Sequence, residues 1–135
     1  MLYRRIKKDI EEYLRSEDDR IMILEGARQI GKSFIIREVG KRLYDNFIEI
    51  NFAEDDEGAK MFKEIGTTEG FYFTLSSAYG EKLDRYENTL VFLDEIQHYP
   101  QYLTLLKFFR EDRRFRFIAS GSLLGITLRE TTSIP

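Results

Sequence analysis

The sequence predicts an α/β fold in which a parallel β-sheet lies between two layers of helices. Short apolar runs rich in β-branched and aromatic residues alternate with segments whose apolar residues recur every three or four positions. Such alternation is typical of strand–helix–strand units, which join parallel strands by right-handed crossovers. A chain of 135 residues can build one hydrophobic core, so we expect a single domain over residues 1–135.

The elements follow from local spacing. A leading amphipathic helix is predicted over residues 1–16, because Ile6, Ile10 and Leu14 recur at a helical interval. Four runs with strand composition, at 20–25, 46–52, 89–93 and 115–120, predict the sheet. Helices are predicted over 33–43 and after Pro100, which suits the first turn of a helix because it has no backbone N–H.

Residues 59–87 give a mixed signal. The composition of residues 71–73, Phe-Tyr-Phe, favours a strand, whereas the spacing of Phe71, Leu75 and Tyr79 favours a helix. We predict mostly helix there. The acidic stretch over 54–58 is predicted to be a solvated loop or helix start, because runs of carboxylates more commonly form wet surface than metal sites.

The most informative motif lies between the first predicted strand and the helix that follows it. It fits the phosphate-loop pattern G-x-x-x-x-G-K-[ST] at every fixed position and comprises Gly26, Ala27, Arg28, Gln29, Ile30, Gly31, Lys32 and Ser33. A loop of this kind directs backbone N–H groups and the positive end of the helix dipole at one point. Lys32 adds a cation for the β- and γ-phosphates, and Ser33 adds a hydroxyl for Mg²⁺. Together with Phe34, the motif predicts a nucleotide-binding site, against the alternative of a glycine turn that matches by chance.

An acidic pair follows the third predicted strand. Ligands bind beyond the carboxyl ends of parallel strands, so Asp94 and Glu95 are expected at the same sheet edge as the phosphate loop. Asp94 is placed to hold Mg²⁺ through water, and Glu95 to take a proton from the water that attacks the γ-phosphate. A surface turn is the alternative for the pair alone. Gln97 is expected to couple the site to the next helix, with orientation of the attacking water as the alternative. His98 is expected to be a solvated polar residue, with a proton relay as the alternative.

The acidic segment also favours one nucleotide class. Switch-type GTPases have an Asp-x-x-Gly segment here and a later Asn-Lys-x-Asp guanine reader, whereas this chain has Asp-Glu-Ile-Gln at 94–97 and no Asn-Lys-x-Asp. The expected ligands are therefore ATP and Mg²⁺. Neither the arginine-bearing lid nor the substrate pocket of a small-molecule kinase can be placed in the sequence.

The segments 26–33, 92–97 and 120–124 together resemble the AAA-type predicted ATPases of bacteria and archaea, which are often followed by a DUF4143 region. The resemblance implies a three-layer P-loop NTPase sandwich with strand order 5-1-4-3-2. It also implies that Ser120, or less favourably Ser122, senses the γ-phosphate; a turn residue at the strand end is the alternative. Members of the family continue into a fifth strand, an arginine-bearing segment and a C-terminal domain. The resemblance therefore implies an N-terminal fragment without the fifth strand, in which Arg129 is expected to be a surface arginine.

Charge and composition limit the partners. The net charge is −3 with both signs interspersed, there are no cysteines, and no apolar run is long enough for a signal or a membrane span, so we expect a cytoplasmic protein. Acidic residues interrupt the arginines at 110–116, which argues against a nucleic-acid stripe.

Without a fifth strand, the first strand would form an exposed edge of the sheet. This edge predicts self-association through that strand, segment exchange, or coverage by the tail from residue 123.

Three functions remain open from the sequence. The first is Mg²⁺-dependent ATP hydrolysis that drives conformational work in a larger protein, with Lys32, Glu95 and Ser120 as its catalytic residues. The second is a nucleotide-binding module with negligible turnover, because the fragment is expected to lack a trans-acting arginine. Such an arginine can raise the rate of hydrolysis by about 10³ to 10⁵. The third is an ATP-using nucleic-acid-processing factor, for which no aromatic-interleaved basic groove is visible.

Overall fold

The structure, a computed structural model, describes residues 2–25, 31–53, 57–80, 88–122 and 133–134. Strands and helices alternate along most of the chain. The helices are α1 (Leu2–Arg15), α2 (Lys32–Leu43), α3 (Glu57–Lys60), α4 (Thr68–Tyr79) and α5 (Gln101–Asp112), with a short 3₁₀ helix at Ile96–His98. The strands are β1 (Ile21–Glu25), β2 (Asn46–Asn51), β3 (Thr89–Asp94), β4 (Arg116–Gly121) and β5 (Ser133–Ile134).

The sheet is parallel throughout, with strand order β2-β3-β4-β1-β5. This is the order that the resemblance implied. β3 is buried at all six residues, as expected for a central parallel strand covered on both faces. β1 pairs with β4 so that Leu24 lies opposite Ser120, and β2 pairs with β3 so that Asn51 lies opposite Asp94. The register therefore brings the carboxyl ends of β1, β2, β3 and β4 to one edge.

The two faces of the sheet have separate cores. On one face, α1 and α2 pack on the sheet through mainly aliphatic side chains, which include Ile10, Leu14, Met22, Ile35, Ile36, Val39, Leu90, Phe92 and Ile118. On the other face, α4 and α5 pack through an aromatic cluster in which the rings of Phe109 and Phe117 stack at 4.4 Å. Alternate residues of each strand enter opposite cores, which gives the predicted three-layer arrangement.

The sheet edge beside β1 needs one correction. As predicted, the described residues contain no full-length fifth strand, but the fifth place in the sheet is not empty. Two residues of the tail form β5, where Ser133 pairs with Ile21 and Ile134 with Met22. Coverage of the edge by the tail is thus confirmed for these two residues. The physical reason is that the unpaired N–H and C=O groups of an apolar edge strand favour any backbone that reaches them.

The helix prediction for residues 59–87 is confirmed over α4. The Thr67 hydroxyl caps this helix by accepting from the backbone N–H of Gly70 at 3.0 Å, and Phe71 and Leu75 are fully buried. Of the three aromatic residues that favoured a strand, Phe71 and Tyr72 are buried in the core, whereas Phe73 is 75% exposed on the outer side of α4. Residues 54–56 and 81–87 lie outside the described parts of the chain.

α1 is tied to the sheet by specific polar contacts. The Tyr13 hydroxyl donates to the backbone carbonyl of Phe117 at 2.9 Å, and burial raises the pKa of Tyr13 to about 12. The Arg116 guanidinium lies 4.0 Å from the Tyr13 ring centroid and donates to the carbonyls of Tyr13 and Asp18 at 2.6 Å. In the described parts of the chain, no helix combines the length and the apolar character that a bilayer span requires.

Candidate functional site

The sequence-predicted residues of three elements converge at the carboxyl edge of the sheet. A cavity of about 260 Å³ opens there between the start of α2 and the ends of β2, β3 and β4. Its lining residues are Gly31, Lys32, Ser33, Arg37, Glu49, Asn51, Asp94, Glu95, Ser120 and Gly121. The structure thus brings together the end of the phosphate loop, the acidic pair and Ser120, which are up to 89 positions apart in sequence.

The described end of the phosphate loop has the geometry of a helix N-terminus open to an anion. Gly31 precedes α2 with φ 72° and ψ 30°, a left-handed conformation that glycine adopts without steric cost. Gly31 offers no side-chain cap, and the first turn of α2 contains no acidic residue. The first N–H groups of the helix and its dipole are therefore suited to phosphate oxygens. The other predicted loop residues, Gly26, Ala27, Arg28, Gln29 and Ile30, lie outside the described residues.

Lys32 is a buried cation at this site. Only 7% of the residue is exposed, and burial lowers the pKa of its ammonium group below the ordinary value. The negative charges of Asp94 and Glu95 oppose that shift. A cation that has already lost much of its hydration and faces a cavity is well placed to receive a polyanionic ligand.

The Asp94 carboxylate is held by two hydroxyl groups from different elements. Ser33 Oγ, on α2, donates to Asp94 Oδ2 at 2.9 Å, and Ser120 Oγ, on β4, donates to Asp94 Oδ1 at 2.6 Å. Asp94 and Ser120 are both buried. The donor set fits Mg²⁺, which binds few protein oxygens and fills its remaining positions with phosphate oxygens and water. The Ser33 hydroxyl can donate its hydrogen bond to Asp94 while a lone pair of its oxygen coordinates the metal. Asp94 would then support the metal indirectly, through Ser33 or through a water molecule.

The single hydroxyl proton of Ser120 forms the hydrogen bond to Asp94. A hydroxyl has a single donor, so in this arrangement Ser120 cannot also donate to a γ-phosphate. The sensing role that the resemblance implied for Ser120 therefore remains a prediction and requires the hydroxyl to rotate. The alternative residue, Ser122, donates through its backbone N–H to Gln97 Oε1 at 3.1 Å.

Glu95 has an unusual backbone conformation for its residue type. Its φ of 57° and ψ of 46° are left-handed, and the residue immediately precedes the 3₁₀ helix. This bend keeps Glu95 beside Asp94 at the cavity with 5% exposure. Glu95 Oε1 accepts from Gln97 Nε2 at 2.8 Å and lies 3.9 Å from His98 Nε2. The His98 side chain is 48% exposed. Gln97, which was expected to couple the site to the next helix, contacts Glu95 and the backbone N–H of Ser122 instead.

Sequence reasoning missed one ion pair that lines the cavity. Arg37 makes a two-pronged contact with Glu49, with both N–O distances at 2.8 Å. Arg37 lies one helical turn after Ser33, and Glu49 lies on β2 two residues before Asn51. The i, i+4 relation between Ser33 and Arg37 was the available signal. The contact partner on β2 could be known only from the sheet order.

Some predicted residues are not part of the cavity lining. Phe34 directs an exposed side chain to solvent at 57% exposure, and it is absent from the described lining of the cavity. Arg129 lies outside the described residues.

A larger cavity, of about 480 Å³, lies at the opposite edge of the sheet. Its arginines are engaged within the protein, since Arg110 and Arg113 contact Asp19 and Arg116 binds the end of α1. Arg116 thus docks the end of α1 onto β4, and Arg110 and Arg113 tie the turn after α1 to the end of α5.

Comparison with known proteins agrees with this fold. The chain is similar over 96% of its length to one chain of the structure of C. elegans PCH-2, with a TM-score of 0.50 and 15% sequence identity. It spans 38% of that longer chain, so the similarity is one of fold. No curated protein matches the sequence. The family model described as "AAA domain" matches residues 18–135. The chain therefore belongs to this family of AAA domains, and it is a nucleotide-binding module of the P-loop type.

Proposed function

We propose that this AAA domain binds Mg–ATP at the carboxyl edge of its sheet and hydrolyses it, coupling the reaction to conformational work in a larger protein. The observation that carries the proposal is the placement of the Asp94 carboxylate. It contacts the Ser33 hydroxyl of the phosphate loop on one side and lies beside Glu95 on the other. The same cavity thus has groups for phosphate, for metal and for a water nucleophile.

Phosphate binding would fall to α2. Its uncapped N-terminal amides and the Lys32 ammonium group would contact the β- and γ-phosphates, since both offer N–H donors in a buried setting. Mg²⁺ supplies charge neutralisation and in-line geometry when bound with ATP. Ser33 would provide one oxygen ligand, and Asp94 would orient Ser33 through the hydrogen bond that is already present.

Proton transfer would fall to Glu95. As general base, its carboxylate accepts a proton from a water molecule as the water oxygen bonds to the γ-phosphorus and the bond to ADP breaks. Ser120 would hold the second oxygen of Asp94 and so keep the carboxylate in one orientation.

A binding module with negligible turnover is the second candidate, and the state of Arg37 favours it. Arg37 is the one arginine among the described residues that line the cavity, and its guanidinium is already paired with Glu49. Phosphoryl transfer gains greatly from an arginine on the γ-phosphate. Slow hydrolysis by this chain alone is therefore compatible with both candidates.

The experiment compares binding with turnover in matched variants. Lys32→Ala should weaken Mg–ATP binding about tenfold to hundredfold, which corresponds to one charge-assisted hydrogen bond of about 1.5–3 kcal/mol. Lys41→Ala, an exposed lysine on the same helix, is the control and should bind as the wild type does. Glu95→Gln should retain binding and lose hydrolysis. Calorimetry and single-turnover phosphate release measure the two quantities.

The outcomes separate the candidates. Equal loss of binding in Lys32→Ala and Glu95→Gln would mean that the two residues do not meet one nucleotide. The second test uses the longest form of the protein that contains this domain. If that protein binds Mg–ATP normally but shows no phosphate release that depends on Glu95, the binding module remains as the function.

A further inference from the structure

Gln97 bridges two parts of the site without lining the cavity. Its Nε2 donates to Glu95 Oε1 at 2.8 Å, and its Oε1 accepts from the backbone N–H of Ser122 at 3.1 Å. Both ends of the amide are thus engaged, one with the carboxylate and the other with the backbone that leaves β4. A side-chain amide can donate to a carboxylate through its NH₂ group and accept from a backbone N–H through its oxygen at the same time.

The fold makes room for this bridge at Gly121. A Cβ atom at this position would lie 2.5 Å from Gln97 Oε1 and 3.1 Å from Ile96 Cγ2, so only glycine allows the amide to reach the strand end. On the other side of the bridge, Glu95 occupies a left-handed conformation, which is sterically unfavourable for a residue that has a Cβ atom. Contacts around Glu95 must offset that cost, and the Gln97 hydrogen bond is one of them.

We propose that Gln97 is a positioning residue: it orients the Glu95 carboxylate and links it to the backbone at Ser122. The inference rests on the proposed function, in which Glu95 activates water. A general base must lie within hydrogen-bond reach of the water it deprotonates, and a displacement of about 1 Å can cost about 10²-fold in rate. Gln97 fixes one oxygen of the carboxylate and thereby limits its rotation.

The link also gives Glu95 a connection to the edge of the sheet. Ser122 directly follows β4, and the next described residues are β5, which pairs with β1. A shift of the backbone after β4 would therefore move Gln97 Oε1 and, through the rigid amide, the carboxylate of Glu95. Under the proposal, the Glu95 carboxylate would thus respond to a movement of the backbone that follows β4.

The kinetic test uses two substitutions of similar size. Gln97→Met removes both hydrogen bonds, whereas Gln97→Glu keeps an acceptor for Ser122 and replaces the donor to Glu95 with a carboxylate that repels it. Both should lower the single-turnover rate of Mg–ATP hydrolysis about 10²-fold while the KM and the nucleotide Kd stay within about twofold. Gln101→Met is the matched control, because it makes the same substitution at a glutamine whose amide forms hydrogen bonds away from the site, to the carbonyls of Lys63 and Ile65. A rate for Gln97→Met within about threefold of wild type would overturn the proposal.

A second measurement needs no turnover. In ¹⁵N–¹H correlation spectra without nucleotide, Glu95→Ala should shift the Ser122 backbone amide resonance. The same substitution in the Gln97→Met background should leave that resonance in place, because the connection has been removed. A Ser122 resonance that ignores Glu95→Ala, or that shifts equally in both backgrounds, overturns the link. If the link is present but the wild type neither binds nor hydrolyses ATP, the proposed function fails and the link stands.

Discussion

Ser120→Ala distinguishes two roles for one hydroxyl group. In the structure Ser120 Oγ donates to Asp94 Oδ1 at 2.6 Å, and both residues are buried. If this contact is the role of Ser120, the substitution damages the protein before any nucleotide arrives. If Ser120 acts only as a sensor of the γ-phosphate, the nucleotide-free protein should be indifferent to the change.

The expected size of the effect follows from the partner. A hydrogen bond to a charged group contributes about 1.5–3 kcal/mol, and the lost donor leaves one buried carboxylate oxygen without this partner. The unfolding entropy of a chain of 135 residues is about 0.3 kcal/mol per kelvin. Ser120→Ala should therefore lower the Tm of the nucleotide-free protein by about 5–10 °C.

The assay is thermal and urea-induced unfolding without nucleotide or Mg²⁺. Ser77→Ala is the matched control, because the Ser77 hydroxyl makes an exposed hydrogen bond to the carbonyl of Phe73, and its loss should change the unfolding free energy by less than about 0.5 kcal/mol. An unchanged Tm for Ser120→Ala combined with slower hydrolysis would refute the positioning of Asp94 by Ser120 and support the sensor.

Three further predictions concern the rest of the fold. Gly40→Ala should lower the unfolding free energy by about 1–2 kcal/mol in urea titrations, because its Cβ would lie 2.7 Å from the Phe47 ring. This steric cost exceeds the helix propensity of alanine, which is about 1 kcal/mol more favourable than that of glycine. Gly80→Ala is the control and should not lower the unfolding free energy, because its Cβ would meet open space. The pKa of Tyr13, raised to about 12, keeps this side chain neutral in the folded state at pH values where the tyrosine of the unfolded state is ionised. The unfolding free energy should therefore fall by up to about 2–3 kcal/mol as pH rises from about 10 to about 12. In Tyr13→Phe this part of the alkaline loss should be absent. Deletion of residues 131–135 should expose the backbone of Ile21 and Met22 and cause concentration-dependent association in sedimentation experiments, and a deletion variant that stays monomeric at high concentration would contradict it.

The fold could be predicted from the sequence because its strongest signals are local. The uninterrupted apolar run that forms β3 is readable without tertiary information, since a strand buried on both faces needs no polar residues. The spacing of Ile35, Ile36 and Val39 likewise gives the buried stripe of α2. The order of the strands is not local, and it came from the resemblance to AAA-type ATPases.

The contacts within the site could be predicted only as far as the edge of the sheet. Parallel strands deliver their carboxyl ends to one edge, so the neighbourhood of Lys32, Ser33 and Asp94 followed from the motifs. The partners of single atoms did not follow. The contact between Asp94 and Ser120 depends on the register of β3 and β4, in which Leu93 lies opposite Ala119 and the next two residues lie side by side. Coverage of β1 by the tail was predicted, but which two residues of the tail form β5 was not, because backbone pairing leaves little trace in so short a sequence.

The end of β4 connects the two chemical parts of the site. Ser120 contacts Asp94, which belongs with the groups for metal and phosphate, and the next residue, Gly121, lies against Gln97, which belongs with Glu95. Successive residues of a strand point to opposite sides, so one short strand end can contact both groups without either contact disturbing the other. The proposed metal binding at Asp94 and the proposed orientation of Glu95 by Gln97 therefore share one support. A movement of that support would change both together, whereas a substitution at either residue changes only one.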